Sequence, residues 1–380
     1  MKKLAIILSH PVQYYSPLFK ELAKRIKTKV FYCFDPDEKM QGYGFNKQFR
    51  WDVPLFDGYD YKFVKNISNN PGFNHFMGLV NPDLIPEINR FNPDALLVFG
   101  WNYQSHFKAM RYFKGKIPIL FRGDSTLWDF KPGINQILKP LFLRWIYKYV
   151  DIALYVGKNN KDYFIAHGLK ESQLVWAPHA VDNAYFTDPD GNYKREALTW
   201  KDSLGIGINE ITFLFVGKLN KIKDPLLLLN AFDMLNDTKT RLIFVGSGPL
   251  ESELKGRACK NNRITFLGFQ NQRQMPVCYR LADVLVLPSR GPYETWGLVV
   301  NEAMACGLPI IASDKCGCAV DLICEGRNGY IFKAGDIAGL CKKLSIMMDK
   351  DNVQKMGEES VKIIGNWSIN SLCDQILRIL

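Results

Sequence analysis

The chain has 380 residues, 47% of them hydrophobic and 23% charged. That is a globular composition with enough length for two ordinary domains, which excludes a disordered or fibrous chain. The net charge of +11 is uneven: residues 1–180 carry 25 Lys/Arg against 15 Asp/Glu, and the remainder 24 against 23. The first half is therefore expected to meet something anionic, whether a membrane surface, a lipid phosphate or a nucleic acid.

In chain order, the opening "LAIILS" (4–9) reads as a buried β-strand. It is too short for a signal-peptide core and leads into His10-Pro11 rather than a small-residue cleavage site. Further apolar runs follow: "ALLVFG" (95–100), "IPILF" (117–121) and "IALYVG" (152–157). A turn-rich stretch, "DNAYFTDPDGNYKR" (182–195), is the best linker candidate and places a boundary near 185. After it come "ITFLFVG" (211–217), "RLIFVGSG" (241–248), "ITFLG" (264–268), "DVLVLPS" (283–289) and "LPIIAS" (308–313). Continuous apolar strands alternating with helical patterns predict parallel sheets covered on both faces, in two doubly wound α/β domains. The nine cysteines form neither a CxxC pair nor a zinc-type Cys/His cluster, so no metal site is expected and a reducing cytoplasm is the expected compartment.

The segment "VLVLPSRGPYETWGLVVNEAMACG" reads as strand, loop and helix, with the helix starting near Trp296 or Gly297 and a glycine cap at Gly307. In doubly wound sheets ligands bind at the carboxyl ends of the strands. The backbone amides of Thr295, Trp296, Gly297 and Leu298 would then face a phosphate. Glu302, further into the helix, is placed to accept hydrogen bonds from a ribose diol, and Glu294 to meet a sugar hydroxyl. A capping acid and a solvated helix glutamate are the alternative on spacing alone. Lys218 and Lys223 in "FVGKLNKIKDP" follow a strand directly and suit a diphosphate. The glycine turns at Gly217, Gly246 and Gly248 stand at strand ends, where they serve a ligand or only the tight turn.

These motifs resemble the nucleotide-binding domain of the retaining glycosyltransferases of family 4 (glycosyl transferases group 1), which have the GT-B fold. Four elements match in order: "VGKLNKIK", "VGSGPL", "ADVLVLPSRGPYE" and "ETWGLVVNEAMACGLPIIAS", the last carrying a Glu-x7-Glu pattern as Glu294 and Glu302. The resemblance implies two Rossmann-like domains facing across a cleft: an acceptor-binding domain over 1–184, a nucleotide-sugar domain over 185–362, and a closing helix in 363–380 that crosses back to the first domain. It implies that Glu302 binds the ribose, that Glu294 and the amides of Trp296 to Leu298 hold the donor sugar and phosphates, and that Lys218 and Lys223 hold the diphosphate. Loop 268–273, with Phe269, would hold the base through backbone groups. The family usually has arginine where Lys218 stands, and lysine loses the fork of donors.

In the first half the family has a glycine-rich loop after the first strand; here Ser9-His10-Pro11 replaces it. His10, at a strand's carboxyl end, is a candidate catalytic residue, and Gln13 and Tyr14 are candidates for the acceptor, with burial against the first helix as the alternative for Tyr14. Many family members have a functional histidine in the loop that here reads "RGDSTLW" (122–128). Arg122 is a candidate for an acceptor phosphate and Asp124 for orienting an acceptor hydroxyl. A salt-bridged pair is the alternative. His106 is expected on the surface, and His179 at a turn between domains.

"FKAMRYFKGK" (107–116) and "KPLFLRWIYKY" (139–149) mix cations with aromatics, as helices at an anionic bilayer do, although the second would also serve to cover the sheet. The expectation is a metal-independent enzyme without a cofactor. It takes a nucleotide sugar, UDP-sugar before GDP-sugar, and a saccharide or lipid-linked acceptor. It is cytoplasmic, with peripheral contact at the inner face of the membrane. A nucleotide-sugar epimerase of the same fold and a non-catalytic anion or nucleic-acid binder are the alternatives; no aromatic RNA motif or helix-turn-helix supports the latter.

Overall fold

The structure is a computed structural model and describes residues 2–36, 48–129 and 135–380. The chain divides into two compact units. The first comprises Met1–Asp37, Val53–His179 and Ile369–Leu380, and the second Glu38–Asp52 and Ala180–Ser368.

The first unit is built on a seven-stranded parallel sheet in the order β3-β2-β1-β4-β5-β6-β7. Its strands are β1 (Lys3–Leu8), β2 (Lys27–Tyr32), β3 (Asp60–Phe63), β4 (Ala95–Phe99), β5 (Ile119–Arg122), β6 (Ile152–Tyr155) and β7 (Leu174–Trp176). β1 sits between β2 and β4, pairing Ile6 with Val30 on one side and Leu97 on the other. Ala5, Ile7, Leu96 and Val98 point to one layer of core, and Leu4, Ile6, Leu8 and Leu97 to the other. A sheet buried on both faces needs apolar residues at consecutive positions, which is why β1 has no alternation.

The second unit has a six-stranded parallel sheet in the order β10-β9-β8-β11-β12-β13. Its strands are β8 (Ile211–Val216), β9 (Thr240–Val245), β10 (Ile264–Gly268), β11 (Val284–Leu287), β12 (Ile310–Ser313) and β13 (Gly329–Phe332). In both units the order reverses beside the first strand, the topology that opens a crevice at the strands' carboxyl ends.

All nine apolar runs are strands. β2 ("KTKVFY") and β3 ("DYKF") are diluted by lysine and aspartate, and β7 has three residues.

The units divide after His179 and after Ser368, where 184 and 362 were expected. The expected linker is mostly helix, Asn183–Phe186 and Asn192–Ser203, because Asp182 caps the first turn by accepting from the Tyr185 amide. The helix Lys350–Gly365 stays with the second unit, and the closing helix Ile369–Ile379 belongs to the first. Leu372, Cys373 and Ile376 of that helix pack with Phe19 and Leu22 of the helix Ser16–Arg25, and Arg25 donates to Asp374 at 2.7 Å and Asn370 at 3.0 Å.

Candidate functional site

In the second unit the chain leaves β11 through a loop that runs to the helix Leu298–Ala305. The helix starts at Leu298, one residue past the expected Trp296–Gly297 start. Gly297 is its N-cap with φ of 99°, and a Cβ there would lie 2.8 Å from Cys316 Sγ, so only glycine fits. A second strap holds the loop from behind: Gly317 N donates to Glu294 O at 3.1 Å and Cys318 N to Trp296 O at 2.9 Å. A Cβ on Gly317 would fall 1.7 Å from Thr295 O. The Trp296 indole is buried, donates to Asn301 Oδ1 at 2.9 Å and packs on Trp367 at 5.2 Å. Trp296 thus anchors the loop, and only its backbone is left to a ligand.

The two carboxylates stand on either side of this turn. Glu294, 8% exposed, accepts from Lys223 Nζ at 2.6 Å and from Ser289 Oγ at 2.9 Å. The expected lysine and the expected glutamate are each other's partners, so one contact carries both charges. Glu302, 2% exposed, accepts from the Tyr279 hydroxyl at 2.5 Å and from Gln272 Nε2 at 3.3 Å. A buried carboxylate costs several kcal/mol unless hydrogen-bonded, and these two bonds fix its direction. It is not the solvated helix residue of the alternative reading.

The glycine turns support one another. A Cβ on Gly246 would lie 1.9 Å from Gly217 O, and one on Gly248 2.7 Å from Leu219 O. The loops after β8 and β9 pack backbone to backbone, with Leu219 N donating to Ser247 O at 3.0 Å. That packing sets the Lys218 loop. Asn220 completes it, its side-chain oxygen accepting from the amides of Ile222 (3.1 Å) and Lys223 (3.0 Å). Lys218 is half-buried, and burial together with the Lys223 charge lowers its pKa. Phe269 packs on Phe49 at 4.4 Å, and Asn271 Nδ2 donates to Arg50 O at 2.7 Å, so residues 48–52 lie over the loop after β10 within this unit.

In the first unit His10 stands at the end of β1, its ring 4.2 Å from Phe73 and its Nδ1 bonded to Ser9 Oγ at 2.9 Å. Burial pushes its pKa down to about 4, leaving a neutral imidazole at pH 7. Gln13 and Tyr14 are half-buried and precede the helix Ser16–Arg25 rather than lying in it. Arg122 departs from expectation: it is buried and donates to Ala177 O and Pro178 O, both at 2.9 Å. Both terminal nitrogens bond carbonyls of the chain after β7, so it is a clamp rather than an open phosphate receptor. Asp124 does line a cavity of about 130 Å³ with Ser9, Tyr15, Arg122 and His179. Its charge, after burial, helps raise the Tyr15 pKa to about 12. His179 is buried and neutral, stacked parallel to Tyr15 at 6.5 Å. His106 is fully buried, not on the surface; its Nδ1 meets Gly100 O at 3.1 Å.

Gln272, Tyr279, Ser289 and Asn301 were missed. A tyrosine in "VCYRLADV" gives no sign that its hydroxyl meets a carboxylate 23 residues on. Among the described residues no group of three or more His, Cys, Asp or Glu is placed to hold a metal ion. Among them, too, no helix is long and apolar enough to cross a membrane.

Residues 197–362 match the family model "Glycosyl transferases group 1". Among curated proteins, the sulfoquinovosyl transferase SQD2 of Arabidopsis thaliana is 26% identical over 296 residues, 73% of this chain and 54% of its own. The N-acetyl-alpha-D-glucosaminyl L-malate synthase of Bacillus anthracis is 27% identical over 205 residues, 52% of each. The chain thus spans about half the length of the curated relatives it matches. Among solved structures, Anabaena HepE in complex with UDP has a TM-score of 0.74 at 18% identity, covering 100% of this chain and 99% of its own. WaaG, a glycosyltransferase involved in lipopolysaccharide biosynthesis, has a TM-score of 0.66 at 14% identity, covering 99% of each. At these identities the structural likeness establishes the fold, that of the GT-B glycosyltransferases.

Proposed function

We propose, from the match of residues 197–362 to the glycosyl transferases group 1, that this chain moves a sugar from a nucleotide diphosphate sugar to a saccharide or lipid-linked acceptor, with retention at the anomeric carbon. The observation that carries this reading is the Lys223–Glu294 pair at 2.6 Å, held beside the start of the helix Leu298–Ala305. It gathers a cation and a carboxylate beside the first amides of a helix, which suits a diphosphate and the sugar attached to it. Glu302, one and a half turns along, supplies a buried acceptor for the ribose hydroxyls.

Each residue has a role under this reading. Lys218 and Lys223 neutralise the leaving diphosphate together with the amides of Gly297 and Leu298, so the proposal requires neither metal nor cofactor. Glu294 holds a donor-sugar hydroxyl. The donor phosphate helps deprotonate the acceptor hydroxyl on the same face, and no protein nucleophile is invoked. The neutral His10 and Asp124 stand at the strand ends of the other unit, where an acceptor hydroxyl would be oriented. UDP-sugar is the first choice of donor and GDP-sugar the second, supported by HepE structures that hold UDP and UDP-glucose. The acceptor belongs to cell-surface polysaccharide or glycolipid synthesis, at the inner face of the membrane.

The test is a thermal-shift screen against UDP, GDP, ADP, CDP and dTDP, with and without EDTA, followed by NMR of the sugar released from the matching donor. Stabilisation by UDP that survives EDTA, with α-sugar released from an α-donor, is expected. No stabilisation by any diphosphate, or release of the β-anomer as first product, would overturn the reading.

A further inference from the structure

The helix Asn135–Tyr147 in the first unit shows two apolar faces. Leu143, Ile146 and Tyr147 are buried in the core beside the sheet. Leu141, Phe142 and Trp145 are 58%, 46% and 40% exposed. The outer residues belong to a connected strip. Phe142 touches Trp101 at 5.6 Å and Trp145 at 5.7 Å, Trp145 touches Phe107 at 5.1 Å, and Phe107 reaches the exposed Phe76 at 6.3 Å. Large rings and leucine gathered on a surface mark an interaction site, because water is excluded from their exposed apolar area only when something covers it.

The charge around the strip selects the partner. Residues 104–116 and 139–149 contain seven Lys/Arg and no Asp or Glu. Lys108, Arg111, Lys116, Arg144 and Lys148 are exposed, and the Arg111 guanidinium lies 5.7 Å from the Phe107 ring. The same helix also opens onto a recess that carries polar groups among aromatic walls. Lys139 and Tyr147 line a cavity of about 330 Å³ with Trp101, Asn102, Asp124 and Ser125, and Trp101 is the ring that touches Phe142. An exposed apolar strip on helices whose charged side chains are all cations matches a surface whose own apolar and anionic layers lie side by side.

We propose that this face docks on an anionic lipid bilayer. Leu141, Phe142 and Trp145 enter the boundary between headgroups and acyl chains, while Lys108, Arg111, Arg144 and Lys148 meet lipid phosphates. The docking brings the Asp124 recess to the lipid surface; it deepens the transferase reading, on which only the recess's role as an acceptor site rests.

The experiment floats the purified protein with phosphatidylcholine vesicles and with vesicles of phosphatidylcholine and phosphatidylglycerol in equal parts. The wild type should associate at least about tenfold more with the anionic vesicles and be released by salt. Phe142→Ser/Trp145→Ser and Lys108→Glu/Arg111→Glu should each lose that association about tenfold while keeping the wild-type melting temperature. Equal association with neutral and anionic vesicles, or salt-insensitive association, would overturn the proposal without recourse to any variant. So would a concentration-dependent dimer in the ultracentrifuge that the variants dissolve, since a second copy would then be the occupant. Vesicle binding without any nucleotide-dependent thermal shift would overturn the transferase reading and leave the docking intact.

Discussion

The strand ends of the two units answer the same physical problem with different means. In the second unit both carboxylates are held by side chains: Glu294 by Lys223 and Ser289, Glu302 by Tyr279 and Gln272. The loops carrying them are locked by glycines that admit no Cβ. In the first unit the cation is spent on the fold, since Arg122 ties down Ala177 and Pro178, and the histidines are kept neutral by burial. Under the proposed function, the second unit's arrangement suits a charged ligand of fixed shape. The first leaves Asp124 beside two cavities, one shared with the clamped Arg122 and the other with Lys139.

The sharpest way to break the comparison is to disturb the locked loop. Gly317→Ala drives a Cβ into Thr295 O, and a loss on the order of 2–4 kcal/mol in stability is expected by denaturant unfolding, together with loss of UDP binding. A variant of wild-type stability would show that the strap does not hold the loop. Glu302→Ala should weaken UDP by about 1.5–3 kcal/mol, because a charged acceptor is lost. Glu294→Ala should separate two functions: turnover falls at least about a hundredfold while UDP affinity changes by less than about threefold. Equal losses in both quantities would mean that Glu294 serves the nucleotide and not the sugar.

Two smaller effects sharpen the contrast through pH. His10 and His106 are pushed down to about 4 by burial, and His179 is also lowered well below its ordinary value. The unfolded chain takes up these protons near pH 6.5 and the folded chain does not, so stability is full above about 6.5 and falls as pH drops toward about 4. A melting temperature that is flat over that window, or a His106→Asn variant with an unchanged slope, would contradict this. Lys218 titrates the other way in its effect on ligand. Its lowered pKa means that the cation is lost earlier as pH rises, so UDP affinity should begin to fall below the ordinary lysine value of about 10.4, and less in Lys218→Arg. Parallel profiles would take Lys218 out of the diphosphate site.

The strands were legible wherever burial on both faces demanded an unbroken apolar run, as in β1 and β8. They were illegible in β2, where Lys27, Thr28 and Lys29 leave only three consecutive apolar residues, and in the three-residue β7. The second-unit site was legible because its members lie in short, ordered motifs: Glu294, Gly297 and Glu302 span nine residues. Its supports were not. Tyr279 and Gln272 reach Glu302 from other elements, and the strap at Gly317 depends on backbone contacts that any sequence could make. The first-unit residues were hardest, because whether Arg122 faces a ligand or a carbonyl is decided by the chain after β7, some 55 residues away. Burial of His106 inside a basic, apparently surface helix follows from its position toward Gly100, which periodicity alone did not separate from its exposed neighbour Lys108.

The most direct test of the central claim is isothermal titration of UDP into the wild type and into Glu302→Ala, both in EDTA. Saturable binding by the wild type, weakened roughly tenfold to a hundredfold in the variant, is predicted from the lost charged hydrogen bond. Identical titrations for the two proteins, or no binding by the wild type, would contradict a nucleotide site built on this helix.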